Sequence, residues 1–172
     1  HALQPEQIVC GNGGADVLFR ALQCLHPKRA LLPVPSFLEY ETALQEIGCS
    51  VIHWQMSPNL TITDAILPEL QTGQYDCLML CNPNNPTGTL LQKSQLLPIL
   101  DCCLQNGIRA ILDECFCDMT SEAQQASLLA NCTAYPNVFF LKSLTKRFAI
   151  PGLRLGYGVC ADVAFIEKVR QT

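Results

Sequence analysis

Short apolar runs rich in β-branched and aromatic residues alternate along this chain with longer stretches in which apolar positions recur every three or four residues. That alternation marks strands joined by crossover helices. Seven strand candidates stand out, at Gln7–Cys10, Arg29–Pro33, Ser50–Trp54, Asp76–Cys81, Ile108–Asp113, Asn137–Leu141 and Leu155–Cys160. Helical spacing occupies Ala15–Leu25, Leu38–Ile47, Ser94–Asn106 and Ser121–Cys132, and a further helix over Thr63–Gln71 is interrupted by Pro68. The link from Ser143 to Arg154 is too brief to hold a full crossover helix, so one of the last two strands should run antiparallel to the rest. The expected fold is α/β, a three-layer, mostly parallel seven-stranded sheet with one antiparallel strand and helices on both faces.

Composition supports one buried core. The chain has 172 residues, 49% of them hydrophobic and only 15% charged, which suits a single domain whose sheet is covered on both faces. A net charge of −4 without any Lys/Arg block gives no footprint for nucleic acid. No apolar run reaches the roughly 18 residues of a membrane span. The 11 cysteines are odd in number, irregularly spaced and lack a Cys-x-x-Cys pair, so they read as small core residues in a reducing cytoplasm. His1, His26 and His53 have no partners at metal-ligand spacing and read as surface or packing residues. The opening at His1 and the amphipathic close at Ile166–Thr172 suggest a piece cut at both ends.

In an open α/β sheet, ligands bind beyond the carboxyl ends of the strands. Four polar features sit at such ends. Gly11-Asn12-Gly13-Gly14-Ala15-Asp16 lies where a strand gives way to a helix, and its free amides and helix dipole suit a phosphate, although such a turn is often only a turn. Cys81-Asn82-Pro83-Asn84-Asn85-Pro86-Thr87-Gly88 ends an apolar strand on a proline-stiffened loop that presents Asn85 as an amide donor. Asp113-Glu114 closes the strand from Ile108, where a buried carboxylate needs a cation or donors; a protonated pyridine nitrogen would serve, and metal binding competes but lacks further ligands. Last comes Ser143-Leu144-Thr145-Lys146-Arg147, with Arg154 eight residues beyond Lys146. A lysine near another cation in a low-dielectric pocket can have a lowered amine pKa, and hydroxyls with a guanidinium suit phosphate.

Taken together, Gly-Asn-Gly, Asn-Asn-Pro-Thr-Gly, Asp-Glu and Ser-x-Thr-Lys with its Arg resemble the class I/II aminotransferases of pyridoxal-5′-phosphate (PLP) fold type I over nearly the whole chain. Val34–Tyr40, Asp113–Phe116 and Ile150–Tyr157 look most like threonine-phosphate decarboxylases of cobalamin biosynthesis, and next like histidinol-phosphate aminotransferases. The resemblance implies a PLP-binding large domain over residues 1–172, lacking an N-terminal arm and a C-terminal small domain. It implies Lys146 as the covalent anchor and proton carrier, Asp113 on the pyridine nitrogen, Asn85 on the phenolic oxygen and Phe37 stacked on the ring. Gly14, Ala15, Ser143, Thr145 and Arg154 would hold the phosphate. Two positions depart from the common pattern: Phe116 replaces a frequent tyrosine, and Asp16 replaces a glutamate.

The implied enzyme is a cytoplasmic homodimer acting on a small amino acid or amino phosphate. Decarboxylation of an L-threonine O-phosphate-like substrate is the first expectation, transamination of the histidinol-phosphate kind the second, and a non-catalytic PLP-fold module the third.

Overall fold

The computed structural model describes residues 3–172, so His1 lies outside the described residues. Seven strands form one sheet in the order β1-β7-β6-β5-β4-β2-β3, with β1 at Ile8–Gly11, β2 at Arg29–Val34, β3 at Ser50–Gln55, β4 at Cys77–Cys81, β5 at Arg109–Asp113, β6 at Val138–Ser143 and β7 at Gly156–Val159. All the strands run the same way except β7, which pairs antiparallel with both β1 and β6. The short link from Ser143 to Leu155 explains this, since it holds only a single helical turn at Leu144–Arg147. All seven expected strands are present, with ends displaced by a residue or two.

Helices cover both faces. They are α1 at Gly14–Leu25, α2 at Leu38–Glu46, α3 at Ile66–Leu70, α4 at Lys93–Gln105, α5 at Ala123–Ala126, α6 at Leu144–Arg147 and α7 at Val163–Gln171. One apolar layer packs α1, α2 and α7 through Val17, Leu22, Leu44 and Ile166 against sheet residues such as Ile111 and Leu141. The opposite layer packs α3 and α4 through Ile66, Leu96 and Leu100 against Leu80, Leu112 and Phe140. Alternate residues of β5 and β6 thus belong to opposite layers, as the two-residue period of a strand requires. Pro68 sits at the third position of α3, where its missing N–H leaves no helical bond unmade.

One expectation is corrected. Ser121–Cys132 is not a continuous helix: α5 stops at Ala126, and a 3₁₀ turn over Leu129–Ala134 follows. The cause is the buried Glu114 carboxylate, which accepts from the Ser127 hydroxyl at 2.6 Å and the Leu128 amide at 2.8 Å. Ser127 is extended at ψ 131°, which breaks the helix where it meets the carboxylate.

Nine of the eleven cysteines are buried or nearly so, and all are free thiols. His26 ends α1 in a left-handed conformation, and His53 lies at the surface with Nε2 3.1 Å from Glu41 Oε2. Among the described residues, no three His, Cys, Asp or Glu side chains gather as metal ligands, and no helix is long and apolar enough to cross a membrane.

Candidate active site

A cavity of about 180 Å³ opens at the carboxyl edge of the sheet, on the α1/α2 face. It is lined by Gly14, Ala15, Phe37, Asn85, Asp113, Ser143, Thr145, Lys146 and Arg154, so every site residue expected from the sequence borders one space. Tyr40, Cys115 and Phe116 line it as well.

The glycine-rich turn is shaped by backbone limits. Gly13 takes φ +95°, a conformation side chains rarely adopt, and a Cβ there would stand 3.1 Å from the Arg154 guanidinium. Gly156 on β7 passes so near the Gly13–Gly14 backbone that no side chain fits. The Asp16 carboxylate accepts from the Asn12 amide at 2.9 Å and braces the turn from outside the cavity. Gly14 and Ala15 are the first residues of a 12-residue helix, where backbone N–H groups have no partner within the helix.

The asparagines of the loop after β4 divide their work. Asn82 is buried and bonds Leu91 in both directions, donating to its carbonyl at 2.9 Å and accepting from its amide at 2.8 Å. Asn84 donates to the Pro35 carbonyl at 3.1 Å and to the Thr87 hydroxyl at 2.9 Å. Both side chains hold the loop, which leaves Asn85 facing the cavity.

Asp113 is buried at the floor. Its Oδ1 accepts from the Cys115 amide at 2.8 Å, and its Oδ2 accepts from the Tyr40 hydroxyl at 2.7 Å. Among the described residues it has no ion pair. Burial raises its carboxyl pKa above the ordinary value, against the lowering influence of these donors. Burial and the neighbouring Asp113 charge also hold the Tyr40 phenol well above 10, so it remains a neutral donor. Burial likewise pushes the Cys81 thiol up to about 12 and raises Cys115, which makes both poor nucleophiles.

Lys146 stands on α6 at the cavity mouth, with Nζ 5.4 Å from the Phe116 ring centroid. The sequence suggested an amine enclosed by a low-dielectric pocket, but the structure leaves the Lys146 side chain exposed. Arg154 is exposed beside it, and the buried Thr145 Oγ1 has no hydrogen-bond partner.

These features fit a phosphorylated heteroaromatic cation. A buried carboxylate without an internal cation suits a protonated ring nitrogen. An orphaned hydroxyl, two helix-start amides and a guanidinium that have no partners among the described residues suit a phosphate.

Sequence reasoning did not assign Tyr40. It sits at an apolar position of an amphipathic helix and looks like core; the available signal was its place three residues after Phe37, one helical turn along the same face.

The family profile described as Aminotransferase class I and II matches residues 1–172. The chain is 39% identical over 173 residues to the threonine-phosphate decarboxylase of Salmonella typhimurium, covering 99% of this chain and 47% of that one. The crystal structure of a histidinol-phosphate aminotransferase from Clostridium acetobutylicum matches with a TM-score of 0.86 at 28% identity, over 96% of this chain and 48% of that one. The L-threonine-O-3-phosphate decarboxylase from Porphyromonas gingivalis matches with a TM-score of 0.81 at 27% identity, over 99% and 49%. The chain thus spans about half the length of the relatives it matches.

Proposed function

We propose that this chain, which belongs to the class I and II aminotransferase family and is that of a PLP-dependent enzyme, forms the cofactor-binding large domain of a decarboxylase for an amino acid phosphate such as L-threonine O-phosphate. The observation that carries the choice of reaction is the higher identity to the threonine-phosphate decarboxylase, sustained over nearly the whole chain. The same reading makes the complete protein a cytoplasmic homodimer and gives it a place in cobalamin biosynthesis.

When bound, PLP supplies an electron sink that lets a bond at the substrate α-carbon break. Lys146 Nζ provides the covalent attachment and afterwards carries the proton to or from the reacting carbon. Asp113 holds a positive ring nitrogen through charge, and the Asn85 amide donates to the phenolic oxygen. Phe37, at the cavity rim, would cover one ring face. The Gly14 and Ala15 amides, the Ser143 and Thr145 hydroxyls and the Arg154 guanidinium hold the phosphate. Phe116 packs near Lys146 and has no hydroxyl to donate to the phenolic oxygen, which leaves that contact to Asn85.

Which α-carbon bond breaks depends on groups that grip the substrate carboxylate, and we place these outside residues 1–172. Amino transfer of the histidinol-phosphate kind is the second reading, supported by the likeness to histidinol-phosphate aminotransferases in sequence and structure. Steady-state assays of the full-length protein separate the two. Carbon dioxide release from L-threonine O-phosphate should exceed 2-oxoglutarate-dependent amino transfer from histidinol phosphate; the reverse order overturns the decarboxylase assignment.

A further inference from the structure

We propose that Tyr40 is a positioning residue that couples the two groups bracketing the cofactor ring, setting Asp113 with its hydroxyl and Phe37 with its ring edge. This rests on the PLP-site reading above. Tyr40 is 2% exposed on α2, and its two contacts point to different parts of the cavity. The hydroxyl donates to Asp113 Oδ2 at 2.7 Å, and the ring meets Phe37 edge-on, with centroids 5.5 Å apart and planes at 84°.

The donor's chemistry matters as much as its position. The Cys115 amide holds Oδ1 and the Tyr40 hydroxyl holds Oδ2, so rotation of the carboxylate about its Cβ–Cγ bond would break both bonds. Each oxygen retains a second lone pair for a ligand N–H. Both donors are neutral, so the carboxylate is oriented without its charge being cancelled. A lysine or arginine in place of Tyr40 would orient the carboxylate equally well but neutralise it. The edge contact acts on Phe37, which is 39% exposed at the cavity rim. A single buried side chain thus sets the floor and one wall of the ring site.

The titratable groups that act on Asp113 are Tyr40 itself and the Cys81 and Cys115 thiols around it, with the Glu114 carboxylate acting from the other face of the sheet. Of these, Tyr40 is the one that donates to Oδ2. Its hydroxyl stabilises the ionised carboxylate, so removing it raises the carboxyl pKa and the pair with the ring nitrogen fails at a higher pH.

The test uses full-length wild-type, Tyr40→Phe and Tyr40→Leu proteins titrated with PLP, with melting temperature, bound-cofactor absorption against pH and induced circular dichroism as readouts. Tyr40→Phe should weaken PLP binding about tenfold, the scale of one hydrogen bond to a charged group, and move the acid midpoint of the bound-cofactor absorption upward. Tyr40→Leu should do the same and also reduce the induced dichroism, because the edge contact with Phe37 is lost. A lowered melting temperature in Tyr40→Phe with unchanged affinity and midpoint makes Tyr40 a core residue and overturns the proposal. Wild-type protein that fails to bind PLP overturns the site reading itself, and this proposal with it.

Discussion

Asp113 and Glu114 are consecutive buried carboxylates at the end of one strand, and the fold treats them in opposite ways. Strand alternation turns Glu114 to the α3/α4 face, where Lys142 Nζ lies 3.0 Å away and the Ser127 hydroxyl and Leu128 amide complete its shell. Lys142 also reaches Asp118 at 3.4 Å, and Asp118 in turn lies 3.5 Å from Arg147, the residue after Lys146. Asp113 turns to the α1/α2 face and, among the described residues, meets only neutral donors. A buried ion left without a partner is costly, and a cation supplied at one position but not at the next supports the proposed role of the second charge in holding a ligand. The lysines follow the same division: Lys142 is 2% exposed and committed to Glu114 and Asp118, whereas Lys146 lines the cavity with no ion pair among the described residues.

Breaking the internal pair should have the largest effect. Lys142→Met leaves Glu114 buried and unpaired, which costs about 3–5 kcal/mol of stability, measurable by urea denaturation of apo protein. A loss below about 1 kcal/mol, the scale of an exposed pair, would make the two carboxylates equivalent and remove the contrast.

Asp113→Asn should show the opposite pattern. An amide keeps the shape but cannot hold a positive ring nitrogen, so turnover should fall on the order of a hundredfold or more, while apo stability is unchanged or higher and PLP is still retained through its phosphate. A stability loss matching that of Lys142→Met, with turnover intact, would assign Asp113 to structure.

The smallest effect is in pH dependence, where both groups lose stability as pH rises but in different ranges. Burial raises the Asp113 carboxyl, so the folded apo protein binds this proton more tightly than the unfolded chain, and stability declines as pH rises from the ordinary carboxylate value of 3.8 through the raised one. For Lys142, burial alone would lower the amine, but Glu114 and Asp118 outweigh it and the pKa is raised. Its contribution is therefore complete below the ordinary 10.5 and is lost as pH rises through the raised value. Comparing each variant with wild type across pH should show the Asp113→Asn difference shrinking in acid and the Lys142→Met difference shrinking in alkali.

Much of this was legible in the sequence because periodicity and position agree. Apolar runs gave the strands, and the polar residues after them fell at the one edge where a parallel sheet binds ligands. What the sequence concealed depends on contacts between distant segments. Glu114 breaks the expected Ser121–Cys132 helix from the end of β5, which no local propensity encodes. Lys142 continues the apolar run of β6 and passes unnoticed until the register sets Leu141 beside Asp113, which brings the next residue of each strand, Lys142 and Glu114, together. Tyr40 has the spacing of a core residue and is one, yet its hydroxyl belongs to the site.

The division between the two lysines offers the most direct test of the site. Full-length protein loaded with PLP, reduced with borohydride, digested and mapped should carry the cofactor label on Lys146 and nowhere else. A label on Lys142 or on any other lysine would contradict the assignment of the cavity, of the free lysine and of the uncompensated Asp113 beneath it.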